Sequence, residues 1–249
     1  MEPIDIQESL YSFPYHYLPT ENSAKTWRVA RNLFWGYEYL ATLETIRNLT
    51  LKDAPQRVLD FGCGDGRLIA ELMKAGVSEL IGVDQSEHAI LFARAALYGS
   101  KNVQFLREID EIERSFIPIN TIIAMEVIEH IPPHQVKQVI EKFFRIIHQN
   151  GSLIISVPTM NIPLNRKHYQ HFSSKTLNEY MQGLFTLSEY QYIHKAGWLA
   201  EFLRKVVVNR FFIMDNETCL KIMTHAYRSF VMKADEKTGS HMIAVFRRD

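Results

Sequence analysis

The 249-residue sequence holds only two cysteines, Cys63 and Cys219, too few for a disulfide framework. It has no excess of either charge, because 28 Lys plus Arg balance 28 Asp plus Glu. That balance removes any general attraction to a phosphate backbone and excludes a highly basic nucleic-acid binder, although not a local basic patch. No apolar run reaches the length of about 18 residues that a membrane-spanning helix needs. The opening segment, MEPIDIQESL, is acidic and lacks the apolar core of a signal peptide, so the expected compartment is the cytoplasm. Internal repeats and low-complexity segments are missing too. What is there is a hydrophobic fraction of 47%, enough to bury a sizeable core and to exclude disorder as a global description.

Residues 1–21 are aromatic and punctuated by Pro14 and Pro19, and read as an arm without regular structure. From residue 22 a helix is expected, with Asn22 or Ser23 as its cap. Trp27, Ala30, Leu33, Phe34, Tyr37, Leu40, Ala41 and Ile46 recur along it at helical spacing. Then strand and helix alternate. Short apolar runs at 57–61, 80–83, 103–106, 121–125 and 153–157 read as buried strands. Between them lie amphipathic helices: Leu68, Ile69, Leu72 and Met73, stopping at Gly76; residues 87–98, capped by Ser86 and stopping at Gly99; and Val136 to Ile147, stopping at Gly151. Alternation of this kind means a parallel sheet covered on both faces. Two further strands are expected at 186–193 and 242–246, with a helical insertion over about 196–238. No linker divides residues 22–249, which read as a single domain.

The clearest motif is Asp60-Phe61-Gly62-Cys63-Gly64-Asp65-Gly66, at the carboxyl end of the first of these strands. Glycines let the backbone turn sharply and approach a ligand. A dinucleotide fingerprint would place its third glycine at position 67, which is Arg67, and a phosphate loop would need a Lys followed by Ser or Thr. Asp60 and Asp65 argue against a polyphosphate and for a ligand with a cationic part. Cys63 reads as a small filler of the loop.

The run from Val58 to Gly66 resembles the first motif of the class I S-adenosylmethionine-dependent methyltransferases, and the likeness extends over residues 55–190. The resemblance implies an α/β, Rossmann-like, seven-stranded and mostly parallel sheet with helices on both faces, here with the helical insertion before the last strand. It implies S-adenosylmethionine as cofactor, held at Asp60, Gly62, Cys63, Gly64, Asp65 and Gly66. Asp84, with Gln85 beside it, matches the acid that holds the ribose hydroxyls. Asp110 matches the acid near the adenine amine, one residue later than usual, which keeps Glu108 as a rival.

The strand at 121–125 runs into Glu126, Glu129 and His130, at positions i, i+3 and i+4. If the chain turns helical there, all three share one face and form a possible divalent-metal site beside the cofactor. The segment resembles the Glu-x-x-Glu-His of two branches, the ubiquinone-pathway O-methyltransferases and the small-RNA 2′-O-methyltransferases. By that resemblance Glu126, Glu129 and His130 are metal ligands; the alternative without a metal has Glu126 bordering the cofactor pocket and His130 in a structural hydrogen bond. The RNA branch adds a later histidine. His171 is favoured over His168 for that place, because Phe172 follows it. Magnesium or manganese there would lower the pKa of an acceptor hydroxyl. Without a metal, His130 or His171 is the candidate general base.

The expected function is methyl transfer to a hydroxyl of a small molecule or glycan, assisted by a divalent metal. The alternatives are a 2′-O-methyltransferase of RNA ends, against which the charge balance counts, and a non-catalytic S-adenosylmethionine-binding regulatory module. Tyr11, Phe13, Tyr15, His16 and Tyr17 either close over the cofactor or pack on the sheet edge. The insertion reads as a helix pair on the core rather than a lipid-facing surface.

Overall fold

The computed structural model describes residues 20–21, 25, 27–28, 35–113, 118–208 and 216–248. The rest of the aromatic arm, the candidate caps Asn22 and Ser23, and the part of the insertion at 209–215 lie outside the described residues. In chain order the strands are β1 (Thr20–Glu21), β2 (Trp27–Arg28), β3 (Arg57–Phe61), β4 (Glu79–Val83), β5 (Val103–Leu106), β6 (Ile119–Met125), β7 (Ile147–Pro158), β8 (Thr186–Lys195), β9 (Lys233–Ala234) and β10 (Gly239–Arg247). The helices are α1 (Trp35–Leu51), α2 (Arg67–Lys74), α3 (Glu87–Ala96), α4 (Asp110–Glu113), α5 (Pro133–Ile146), α6 (Ser174–Met181), α7 (Trp198–Val207) and α8 (Glu217–Phe230). Among the described residues no helix is long and apolar enough to cross a membrane.

The main sheet runs in the order β5-β4-β3-β6-β7-β10-β8-β9. Strands β3 to β7 pair in parallel, and β10 lies antiparallel between β7 and β8. It is the Rossmann-like, mostly parallel sheet expected, with eight strands instead of seven among the described residues. The additional one, β9, is two residues long and pairs with the end of β8 through Tyr192 and Ile193. Neighbouring residues of the central strands face opposite layers. Val58, Ile123, Ile154 and Ile243 join the core under α1 and α2, whereas Leu59, Ile122, Leu153 and Met242 join the core under α5 and α6. Both faces are covered, which is why these strands read as continuous apolar runs.

Three boundaries differ from the sequence pattern. The helix expected from residue 22 is instead α1, and Trp27 lies in the two-residue strand β2. Tertiary contact overrides helical spacing here. The buried Trp27 ring packs 6.0 Å from both Tyr37 and Tyr227, its backbone N–H donates to Thr224 Oγ1, and the Arg228 guanidinium lies 4.5 Å from its ring centroid. Helix α5 ends before Gly151, which lies inside β7. A Cβ there would come 2.7 Å from the His148 carbonyl oxygen, so the glycine serves a close bend rather than a helix stop. The insertion is helical as α7 and α8, and adds β9.

A buried polar chain ties the insertion to the rest. His194, at the end of β8, bonds Thr42 Oγ1 on α1 through Nε2 at 2.9 Å and Tyr227 on α8 through Nδ1 at 2.8 Å. Thr42 spends its own proton on the Glu38 carbonyl, so His194 Nε2–H donates to Thr42 and the Tyr227 hydroxyl donates to His194 Nδ1. We predict that Tyr227→Phe, which strips His194 Nδ1 of its donor in a buried place, costs about 1–3 kcal/mol. A urea midpoint lowered at constant m-value is the expected reading. An unchanged midpoint would show that the chain adds nothing to stability.

Candidate active site

The carboxyl ends of the parallel strands meet at one edge of the sheet, where open α/β sheets bind ligands. At the end of β3 the backbone N–H groups of Gly62 and Cys63 both donate to the Val83 carbonyl of β4, at 2.7 and 3.0 Å. The loop then passes through Gly64 and Gly66, with φ of 54° and 80°. Gly62 has φ of 77°, and a Cβ there would lie 2.4 Å from Val127 Cγ2, so both backbone shape and space require glycine. Asp84 closes the turn. Its Oδ2 accepts from Gly64 N–H and its Oδ1 from Ser86 N–H, each at 2.9 Å.

The loop is electrostatically unusual. Asp60 and Asp65 are both buried. Burial, then the charges of Asp84 and Asp65, push the Asp60 carboxyl up to about 8. Burial and the same acids raise the Cys63 thiol well above its ordinary value, so Cys63 stays a neutral thiol. The arrangement favours a cationic guest.

A cavity of about 1250 Å³ opens over this edge. The sheet order divides its wall. On the side of β3, β4 and β5 lie the glycine loop, Asp84, Gln85, Ile109 and Asp110, with Glu108 also on the wall. On the side of β6, β10 and β8 lie Glu126, Glu129, His130, Lys167, His168, His194 and His241. All the positions that the sequence singled out for the cofactor are thus drawn to one place, except that Asp65 and Gly66 sit behind the wall.

After β6 the chain does not continue as an α-helix. Glu126 takes a left-handed backbone, with φ of 56°, and a short 3-10 turn follows at Ile128–His130. The carboxyls of Glu126 and Glu129 therefore have different surroundings. The Glu126 carboxylate accepts from Ser156 Oγ at 2.7 Å and pairs with His241 Nε2 at 3.2 Å. Burial opposes its charge, but His241 and the Ser156 hydroxyl hold it below the ordinary carboxylate range. Glu129 is fully buried, and among the described residues neither of its oxygens has a hydrogen-bond partner. Burial, then the charge of Glu126, raises it well above its ordinary value.

Beside Glu129 stand two imidazoles of fixed tautomer. His130 Nδ1 lies 2.9 Å from the Lys167 carbonyl, which can only accept, so Nδ1 carries the proton and Nε2 faces Glu129 Oε1 at 3.7 Å. His171 Nδ1 donates to the Ile162 carbonyl at 3.2 Å, which leaves its Nε2 to accept from His168 Nδ1–H at 2.9 Å. His168 Nε2 is then a lone pair. The ligand atoms of Glu129, His130 and His168 lie within 4.8 Å of one another. Burial lowers His130; burial, then the nearby His130 and His171, lowers His168 to about 4. Neutral imidazoles whose outer nitrogens are anchored, His130 on the Lys167 carbonyl and His168 on His171 Nε2, are what metal ligation asks for. A buried carboxyl without any hydrogen-bond partner asks for a cation, so the residues fit a divalent ion. The structure groups His168 with Glu129 and His130. His171 stands behind His168, and Glu126 turns to Ser156 and His241.

Among the cavity residues that escaped the sequence are three titratable groups on α1, β8 and β10. His241 opens β10; burial alone would lower its imidazole, but the charges of Glu126 and Glu38 carry it above its ordinary value. Glu38, on α1, is raised chiefly by burial. His194 is buried in a left-handed conformation, with φ of 59°, and burial keeps it neutral. Only the fold brings them together, since α1, β8 and β10 are far apart in the chain.

Comparison with known proteins agrees with this geometry. A family model described as a methyltransferase domain matches residues 31–184. A ubiquinone biosynthesis O-methyltransferase of Bradyrhizobium diazoefficiens is 33% identical over 112 residues, 42% of this chain and 41% of that protein. The chain thus spans less than half the length of that relative. The magnesium protoporphyrin IX methyltransferase of Synechocystis PCC 6803, solved with bound S-adenosylmethionine, superposes with a TM-score of 0.61 over 100% of this chain and 98% of its own, at 15% identity. A SAM-dependent methyltransferase from Archaeoglobus fulgidus superposes with a TM-score of 0.58 over 86% of this chain and 96% of its own, at 16% identity. With more than half of its length matched, the chain belongs to the methyltransferase domain family and has the class I S-adenosylmethionine-dependent methyltransferase fold.

Proposed function

We propose that the chain transfers a methyl group from S-adenosylmethionine to a hydroxyl oxygen of a small molecule or glycan, with a divalent cation held by Glu129, His130 and His168. The observation that carries this reading is the Glu129–His130–His168 cluster on the wall of the cavity that also holds the acidic glycine loop. The O-methyl assignment is supported by the activity named for the curated relatives. Asp60, Asp65 and Asp84 form the acidic surroundings for the cationic donor, with Asp84 on the ribose and Asp110 beside the adenine. In the reaction the acceptor oxygen gains the methyl, the sulfonium becomes a thioether, and the hydroxyl proton leaves. Alignment of oxygen, methyl and sulfur supplies much of the rate. A divalent cation, when bound, lowers the pKa of the hydroxyl. Glu129, His130 and His168 hold the position and charge state of that centre. Glu126 and His241, as an ion pair on the adjoining wall, face the acceptor.

Four outcomes test this. Asp84→Ala should weaken S-adenosylmethionine binding tenfold or more, a loss above about 1.4 kcal/mol by calorimetry; unchanged affinity would remove the ribose assignment. Asp60 holds a proton at neutral pH, and a cationic guest favours its release. Donor affinity should therefore rise by up to about tenfold over the pH unit below neutrality, with proton release seen in buffers of different ionisation enthalpy; a flat profile with no release counts against the placement of the cation. Excess chelator should abolish turnover, and Mg²⁺ or Mn²⁺ should restore it; full activity in chelator rejects the metal. In Mn²⁺ binding followed by paramagnetic resonance, His168→Ala should lose about 100-fold or more, and His171→Ala about 10–100-fold as a partner of a ligand; the reverse order would make His171 the ligand.

A further inference from the structure

We propose that Lys142 is a specificity-determining residue for the nucleoside: with Asp110 it reads the edge of the adenine, Asp110 accepting from the exocyclic amine and Lys142 donating to ring N1. This rests on the reading of the cavity as an S-adenosylmethionine site.

Lys142 comes from α5, which packs against the short helix α4 that Asp110 begins. Val139 and Lys142 are one turn apart on α5 and both line the cavity, as Ile109 and Asp110 do opposite. The wall there is thus a slot with Ile109 and Val139 as apolar sides and the Lys142–Asp110 pair at its rim, Arg107 and Glu108 being further polar residues of the lining. Lys142 Nζ lies 2.5 Å from Asp110 Oδ1, with 34% and 41% of the two side chains exposed. An ion pair so exposed adds little to folding. It does hold the two groups side by side at a fixed place. Neither partner is used up by the other, because an ammonium has three protons and a carboxylate about four acceptor sites.

Lys142 is placed to donate to N1, because its ammonium stands beside the acceptor for the neighbouring amine, and two of the nearby backbone donors are engaged. Glu111 N–H points to the Glu108 carbonyl at 3.4 Å and Ile112 N–H to the Ile109 carbonyl at 3.0 Å, both inside the turn. Adenine presents an amine donor beside an N1 acceptor, and the pair presents an acceptor beside a donor. Hypoxanthine reverses that order, with an O6 acceptor facing the carboxylate and an N1–H facing the ammonium. A site built to pair with polar groups rejects the analogue that leaves them unpaired.

The test is calorimetric titration of the full chain with S-adenosylhomocysteine and with S-inosylhomocysteine. Wild type should prefer the adenosyl ligand by about 100-fold or more, and Lys142→Met should cut that preference by about tenfold. Lys142→Arg, still a donor, should keep most of it. Loss of a merely structural ion pair would weaken both ligands alike and leave the ratio standing. Asp110→Asn provides a second arm, since an amide can donate to O6, and should move the preference toward the inosyl ligand. An unchanged ratio in Lys142→Met, with adenosyl binding intact, overturns the proposal. Failure of wild type to bind S-adenosylhomocysteine at all overturns the donor reading beneath it.

Discussion

Acidic side chains crowded into one partly or wholly buried place are the constraint that organises this molecule. Parallel strands end together, so whatever follows each strand is delivered to the same edge. Here β3 delivers Asp60, β4 delivers Asp84, and β6 delivers Glu126 and Glu129, while α1 adds Glu38 from above. Several like charges cannot all stay ionised away from water. The structure resolves the conflict in two ways. Asp60 and Glu129 are driven toward their protonated forms, whereas Glu126 keeps its charge because His241 and Ser156 stand against it. A cationic guest offers a third resolution, and the two proton-holding acids sit on opposite halves of the cavity. One half is thereby suited to a sulfonium and the other to a metal ion.

The covering elements serve that division. Helices α7 and α8 would be an appendage but for the contacts of α8 with Trp27, Tyr37 and His194. Through His194 the same contacts reach the cavity wall, where the His194 ring stands 5.2 Å from that of His241. A left-handed conformation at a buried histidine costs of order 1–3 kcal/mol. It persists because Thr42 and Tyr227 fix both ring nitrogens. The strain is thus held in place by the insertion, next to the group that keeps Glu126 ionised.

Much of this was legible in the sequence because it is local. A strand, a glycine turn and a helix lie within twenty residues of one another, and the acid that ends β4 follows soon after. The five parallel strands could be read from apolar runs, and Ser86 from its place before a helix; it does accept from Ala89 N–H. What could not be read was non-local. Trp27 fits a helical pattern by spacing, yet its burial between Tyr37 and Tyr227 depends on a helix some 200 residues away, and Thr224 takes its N–H across a separation of 197. His241 carries no motif at all. It matters because β10 enters antiparallel beside β7, which puts the start of a late strand at the end of the early ones.

The segment from Glu126 to His130 shows how far spacing can carry an argument. Spacing of i, i+3 and i+4 joins three side chains only on an α-helix, and the left-handed turn at Glu126 breaks that condition. Two of the three stay together because they share the 3-10 turn, and the third is recruited by Ser156 of the neighbouring strand. The choice between His168 and His171 is of the same kind. Both lie near enough to the cluster, and sequence context favoured His171. The deciding fact is a proton count: the Ile162 carbonyl can only accept, so His171 must donate through Nδ1 and its Nε2 lone pair is committed to His168. Of these two, His168 is the one whose Nε2 is left to join Glu129 and His130. For His171 to take its place, its Nε2 would have to give up the hydrogen bond from His168 and turn toward Glu129.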